Sequence, residues 1–228
     1  MPSLETKNLA DPTNIAGPSS PAEGQGAASQ TALSHQHEHV TPPRTIRAPP
    51  ERLVERDLVL RRWKLSDAAE LHAAASSSAA DLARWMPWAA DGYDLTKAQQ
   101  FLDFTSKAWD KGESYDFAII VDGRISGSFG LMTPATKAPN TLEVGYWLAK
   151  EATGRGFATR AASLLTRTAF AVGAEHVQIR HDERNHRSGA IPRRLGFKSL
   201  GLETLPAGKG GGKEVCLLWQ KDVDSETS

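Results

Sequence analysis

The sequence predicts an α/β (α+β) fold: a mainly antiparallel central sheet flanked by helices, behind a disordered N-terminal tail. Three observations carry this expectation. Eight of the 13 prolines and none of the aromatic residues fall in residues 1–50, where Ser, Pro, Gly, Gln and Ala dominate. Such a segment cannot bury enough apolar surface to offset the entropy of ordering. Further on, DFAIIVDGRISGSFGLM sets Asp122-Gly123, a strong turn signal, between two apolar runs and so reads as a hairpin. Finally, Glu143 to Ala174 reads as strand, glycine-containing turn and long helix. These observations divide the chain into a tail over 1–50, one domain over 51–223 and a short C-terminal tail over 224–228.

In chain order, LVERDLVLRRW alternates as a first strand with Leu58 and Leu60 on one face. Ser66 is a candidate N-cap, with Asp67 at the positive end of a helix running through Leu71 and Ala75. Trp85, Met86, Pro87 and Trp88 form a loop, after which Thr96 and Gln99 read as a capping box before Phe101, Phe104 and Ala108. The hairpin follows, then a loop from Pro134 to Asn140. Leu142, Val144, Tyr146 and Leu148 alternate with Glu143, Gly145, Trp147 and Ala149, the period of a half-buried strand. Gly154 and Gly156 turn the chain, and Phe157, Ala161, Leu164, Leu165, Thr168 and Val172 recur at helical spacing until Gly173. Val177 and Ile179 mark a short strand. SLGLETL and VCLLWQ form a last hairpin, with GKGGGK as its tip.

Lys plus Arg and Asp plus Glu number 27 each, so no net field favours nucleic acid or an anionic membrane. The single Cys216 excludes an intramolecular disulfide and fits a reducing compartment. No apolar run approaches a membrane span and no secretory signal precedes the domain, so the expected location is the cytoplasm. His35, His37 and His39 alternate in the tail, but no second cluster closes a metal site, and no metal is expected.

A helix that opens on glycines presents unpaired N–H groups and a positive dipole end, which suit an anion such as a pyrophosphate. The Gly154-Arg155-Gly156 turn lacks the third glycine of a dinucleotide fingerprint and the Gly-Lys-Ser/Thr of a P-loop. Taken with HDERNHRSGAIPRRLGF, this stretch resembles the GNAT superfamily of acyl-CoA-dependent N-acetyltransferases, most closely its RimJ/RimL-like branch. EVGYWLAKEATGRGFATRA resembles the pyrophosphate loop, Gln/Arg-x-x-Gly-x-Gly/Ala leading into a helix. Asn185, Ser188 and Leu195-Gly196-Phe197 match Asn-x-x-Ser followed by Leu-Gly-Phe, and ARWMPWA resembles the Trp-x-x-Trp segment. The likeness spans about residues 53 to 221. It departs at Glu151, where Gln or Arg is usual, and at Pro192, which falls where many GNAT enzymes carry a tyrosine that protonates the leaving thiolate.

The resemblance implies acetyl transfer from acetyl-CoA to a primary amine. It places the cofactor against Trp147, Leu148, Ala149, Gly154, Arg155, Gly156, Phe157, Ala158, Thr159, Asn185 and Ser188. The oxyanion would meet a backbone N–H of a strand bulged at Gly145 to Leu148, and Leu148 and Ala149 would pair with the pantetheine arm. Arg184, Arg187, Arg193 and Arg194 could offset Glu151 and contact phosphates. Trp85, Trp88 and Tyr146 are candidates for lining the acceptor entrance. Glu143 is the candidate base or water-orienting group, with Glu203 in reserve and His181 a further possibility. Ser188 is either the N-cap of its helix or the group that donates or relays a proton to the thiolate. A protein N-terminus or a small aminated metabolite or antibiotic fits the acceptor role. A non-catalytic acyl-CoA-binding module is the alternative outside catalysis, and a monomer or a homodimer fits equally.

Overall fold

The computed structural model describes residues 46–206 and 213–223. The histidines of the N-terminal tail, nearly all of the GKGGGK tip and the C-terminal tail lie outside these residues. Eight strands form one sheet: β1 (Arg52–Glu55), β2 (Leu58–Arg62), β3 (Ser114–Val121), β4 (Arg124–Met132), β5 (Thr141–Leu148), β6 (His176–Asp182), β7 (Lys198–Pro206) and β8 (Lys213–Asp222). Their spatial order is β1-β2-β3-β4-β5-β6-β8-β7. Every neighbouring pair is antiparallel except β5 with β6. That one parallel pair needs a crossover, and α4 (Phe157–Ala171) supplies it.

Alternation along the strands gives the sheet two apolar faces. On one, Leu142 and Val144 of β5 and Val177 and Ile179 of β6 bury against Phe157, Ala161 and Leu165 of α4. On the other, Trp147 and Ala149 join Leu71, Phe101 and Leu102, brought there by α1 (Ala68–Ser76) and α3 (Leu95–Asp110). A short α2 (Ala79–Leu82) and a 3-10 turn at Pro87–Ala89 connect those two helices. A fully buried leucine such as Leu165 contributes about 1.5–3 kcal/mol.

The local signals differ from expectation at several starts. Asp67, not Ser66, is the N-cap of α1, because a 3-10 turn over Leu65–Asp67 precedes it. Asp94 caps α3 by accepting from Lys97 N at 2.7 Å, so Thr96 and Gln99 form no capping box. The first strand is a hairpin, turned by Arg56 at φ 56°. The domain also begins before residue 51: Ile46 packs against the core, and Arg47 N donates to Val172 O at 2.9 Å.

β5 runs beside β4 in unbroken register from Glu143 to Leu148. The bulge expected at Gly145 is therefore absent. The close approach occurs across the ladder, at Gly127, whose φ is 146° and where an added Cβ would lie 2.2 Å from Trp147 O. Gly127→Ala should cost about 3 kcal/mol, from strain and overlap together. Gly123→Ala, with open space around its Cβ, should cost only about 1 kcal/mol. Chemical denaturation checks the difference, and equal costs would mean that the β4–β5 approach is not a constraint.

Candidate active site

The site forms where β5 and β6 part. Their parallel ladder covers only Thr141, Leu142 and Glu143 against His176, Val177 and Gln178. Asn140 O accepts from Glu175 N and His176 N on the β6 side, and Ala149 N donates to Ser126 O on the β4 side. Main-chain groups alternate edges along a strand, so the C=O of Val144 and both groups of Tyr146 and Leu148 face the gap, the Val144 N–H closing the last rung to Gln178. Gly145 and Trp147 pair into β4 instead. Ala149, expected beside Leu148 at the pantetheine arm, has its N–H on Ser126 and its C=O on Ala152 N at 3.0 Å. Neither group is free for a ligand.

At the top of the gap, Gly154 (φ 77°) and Gly156 (φ 80°) turn the chain into α4. The left-handed conformation there favours glycine. No side chain caps α4, and no acid stands in its first turn. Phe157 is buried and anchors the helix start, with Ala158 and Thr159 half-buried behind it. Their N–H groups and the dipole present a positive end, with open space around both glycines. Arg155 pairs with Asp122 at 2.9 Å, and Arg160 pairs with Asp57 at 2.6 Å and packs on Phe157. The two arginines are thus matched by acids, so the unmatched positive charge at this turn is that of the backbone. Glu151 is exposed in the 3-10 turn before it.

The second helix at the gap is α5 (His186–Arg194). Asn185 is its N-cap and accepts from Ser188 N at 3.1 Å. Ser188 therefore stands at the third helical position and is not the cap. Its Oγ lies 3.1 Å from the hydroxyl of Tyr146, which reaches it from β5. Tyr146, expected at the acceptor entrance, instead stacks on Phe129 with centroids 5.2 Å apart. Burial pushes its phenol up to about 12, with the Ser188 hydrogen bond opposing. His181 is a core residue: Nδ1 donates to Asp182 O at 2.8 Å, Nε2 accepts from Trp219 at 3.0 Å, and Gly189 leaves room for the ring. Burial holds its imidazole below the ordinary value, so it stays neutral. Arg184 is taken by Asp182 and Arg193 lies over Trp219, while Arg187 and Arg194 are exposed.

On the opposite face, the two candidate carboxylates share one arginine, Arg180, that no local motif singles out. Arg180 Nη1 donates to Glu143 Oε2 at 2.7 Å, and its Nε and Nη2 lie 3.0 and 2.8 Å from Glu203 Oε2. Register places Gln178 opposite Glu143, and strand alternation puts Arg180 on the same face. Burial raises the Glu143 carboxyl above its usual range, with Arg180 opposing. Two carboxylates against one guanidinium leave an excess of negative charge. Trp88 is buried against Tyr93 and Trp147 at 5.0 and 5.8 Å, in the core under α1 and α3, and Trp85 is half-exposed beside it.

An open strand edge between two helix starts, one of them uncapped, suits an extended ligand that carries amides and a phosphate. The sequence matches the model of an acetyltransferase (GNAT) domain over residues 57–198, and the chain belongs to that family. It is accordingly an N-acetyltransferase that takes its acetyl group from acetyl-CoA. The fold is similar to that of the microcin C7 self-immunity acetyltransferase MccE, solved with acetyl-CoA and AMP: TM-score 0.69, 20% identity, 77% of this chain and 98% of that one. RimL, a ribosomal L7/L12 α-N-protein acetyltransferase solved with coenzyme A, gives 0.67 at 19% identity, over 76% and 98%. RimJ of Mycobacterium smegmatis gives 0.65 at 23% identity, over 75% and 84%. No curated protein matches the sequence. Asn185→Ala should cost about 1 kcal/mol by leaving Ser188 N without its acceptor, and an unchanged unfolding midpoint would count against this cap.

Proposed function

We propose that this acetyltransferase acts on a primary amine, with the α-amine of a protein N-terminus the preferred acceptor. The observation that carries the reading is the excess negative charge of Glu143, Arg180 and Glu203 beside the gap, which suits an incoming ammonium. Carboxylates are weak bases, and the acceptor must lose its proton before attack. An α-amine ionises near 7.7–8.0 and a lysine side chain near 10.4, so roughly a tenth of the former but far less than a hundredth of the latter is neutral near pH 7. The α-amine therefore presents far more of the neutral form that attacks. RimL, a ribosomal L7/L12 α-N-protein acetyltransferase of similar fold, supports the same acceptor.

The residues fit the donor. The C=O of Val144 and the main-chain groups of Tyr146 and Leu148 pair with the amides of an extended pantetheine, and the start of α4 from Gly156 to Thr159 receives the pyrophosphate. One unpaired N–H of the β5 edge stabilises the oxyanion. Glu143 accepts the amine proton through a water, the amine nitrogen bonds to the thioester carbon, and the C–S bond breaks as the oxyanion re-forms the carbonyl, its electron pair passing to sulfur. Ser188 Oγ–H donates a hydrogen bond to that sulfur.

Gly156→Asp should abolish acetyl-CoA binding while leaving the protein folded, since it adds a negative charge at the pyrophosphate position. Unchanged affinity by calorimetry rejects the position. Glu143→Gln should lower turnover by about 100-fold, within the range of general-base catalysis, with acetyl-CoA affinity retained. The wild-type kcat should fall on an acidic limb above the ordinary carboxylate range, as the raised carboxyl takes up its proton, and the variant should lack this limb. Wild-type rates with a lowered Tm would make Glu143 a structural ion partner only. Incubation with labelled acetyl-CoA and a panel of N-terminal peptides, lysine peptides and small amines tests the acceptor. Labelling of small amines alone contradicts the N-terminal reading, and stabilisation by acetyl-CoA without turnover would make the chain a binding module.

A further inference from the structure

Pro192 lies inside α5. It has no N–H, so the carbonyl four residues earlier, that of Ser188, lacks its helical donor. The hydroxyl of Tyr146 lies 3.4 Å from that carbonyl and 3.1 Å from Ser188 Oγ. Thr166 and Thr168 of α4 turn their hydroxyls back onto the carbonyls of Ala162 and Leu164, the usual fate of a hydroxyl inside a helix. Ser188 has a partner across the gap instead. We propose that Tyr146 is a positioning residue: it holds Ser188 by both oxygens and so leaves the Ser188 hydroxyl proton aimed at the sulfur of the acyl donor.

Each hydroxyl carries one hydrogen. In the proposed arrangement the phenol's hydrogen is shared between the Ser188 carbonyl and Oγ as a three-centre bond, Oγ accepts, and the serine hydrogen is free for the sulfur. The phenol, raised by burial, keeps its proton, whereas a thiol ionises near 8.5, so transfer of that proton to the thiolate is unfavourable. The chain Tyr146–Ser188–sulfur therefore stabilises the departing thiolate by hydrogen bonding, and the thiolate takes its proton later from solvent. Stacking on Phe129 fixes the tyrosine ring, and the same residue offers its main chain to the gap. Pro192 and Tyr146 thus act on one residue, the first by freeing its carbonyl and the second by holding it.

The inference rests on acetyl-CoA occupying the gap, and a binding test separates the two. Calorimetry on the full chain compares coenzyme A with desulpho-coenzyme A, which lacks the sulfur, for wild type, Tyr146→Phe, Ser188→Ala and the double variant. Near pH 9 the wild type should prefer coenzyme A by about tenfold, the scale of a hydrogen bond to a charged group. Each single variant should lose that preference, and the double variant should lose no more. With an N-terminal peptide as acceptor, Tyr146→Phe should lower kcat about tenfold and leave KM for acetyl-CoA unchanged. A Tyr146→Phe protein that keeps the sulfur preference but melts earlier overturns the proposal, because the phenol then only supports the freed carbonyl. Multiplicative losses in the double variant also overturn it, since the two hydroxyls would act independently. A wild type that binds neither compound fails the acetyl-CoA reading itself.

Discussion

The site depends on the point at which two strands separate. A buried N–H or C=O without a partner costs on the order of 1–3 kcal/mol, so a strand that leaves its neighbour in the middle of a sheet must find something else to pair with. β5 leaves β6 after Glu143, and the C=O of Val144 and the groups of Tyr146 and Leu148 face the space that opens. An extended ligand bearing amides satisfies them as a further strand would. Main-chain pairing needs no particular side chains, which is why β5 can devote its alternate side chains to two different cores, Leu142 and Val144 on one face and Trp147 on the other.

The helices flanking that gap are prepared differently. α4 starts on Gly156 with no capping side chain and no acid, so its first N–H groups remain free for an anion. α5 starts on Asn185, whose side chain already takes the N–H of Ser188. One start is suited to charge, and the other fixes a hydroxyl. The contrast supports the proposed place of the phosphates at α4, where the charges of Arg155 and Arg160 are already matched by Asp122 and Asp57.

Much of this was legible in the sequence because strand and helix periods are strong signals. The Asp122-Gly123 hairpin, the alternation from Leu142 to Leu148 and the helix from Phe157 all stand in the structure, as does the mainly antiparallel sheet. Helix starts were less legible. Ser66 and Asp67, or Asp94 and Thr96, offer competing caps within two residues, and the outcome turns on 3-10 geometry and on which side chain reaches an N–H. Side-chain partners between distant elements left no local trace. Nothing near Arg180 announces that it bridges Glu143 and Glu203, and nothing near Tyr146 announces Ser188, because both contacts arise from the β5–β6 register and the approach of α5. The bulge assigned to Gly145 failed for a related reason: the tight approach belongs to Gly127, on the partner strand.

The central claim, that a ligand completes the open edge of β5, is tested most directly by amide hydrogen exchange resolved to single residues with and without coenzyme A. Exchange at Tyr146 and Leu148, and at Phe157 to Thr159 in the first turn of α4, should slow on binding, while Gly145 and Trp147, already paired into β4, should change little. Protection confined to other segments, with Tyr146, Leu148 and the start of α4 unaffected, would contradict the account.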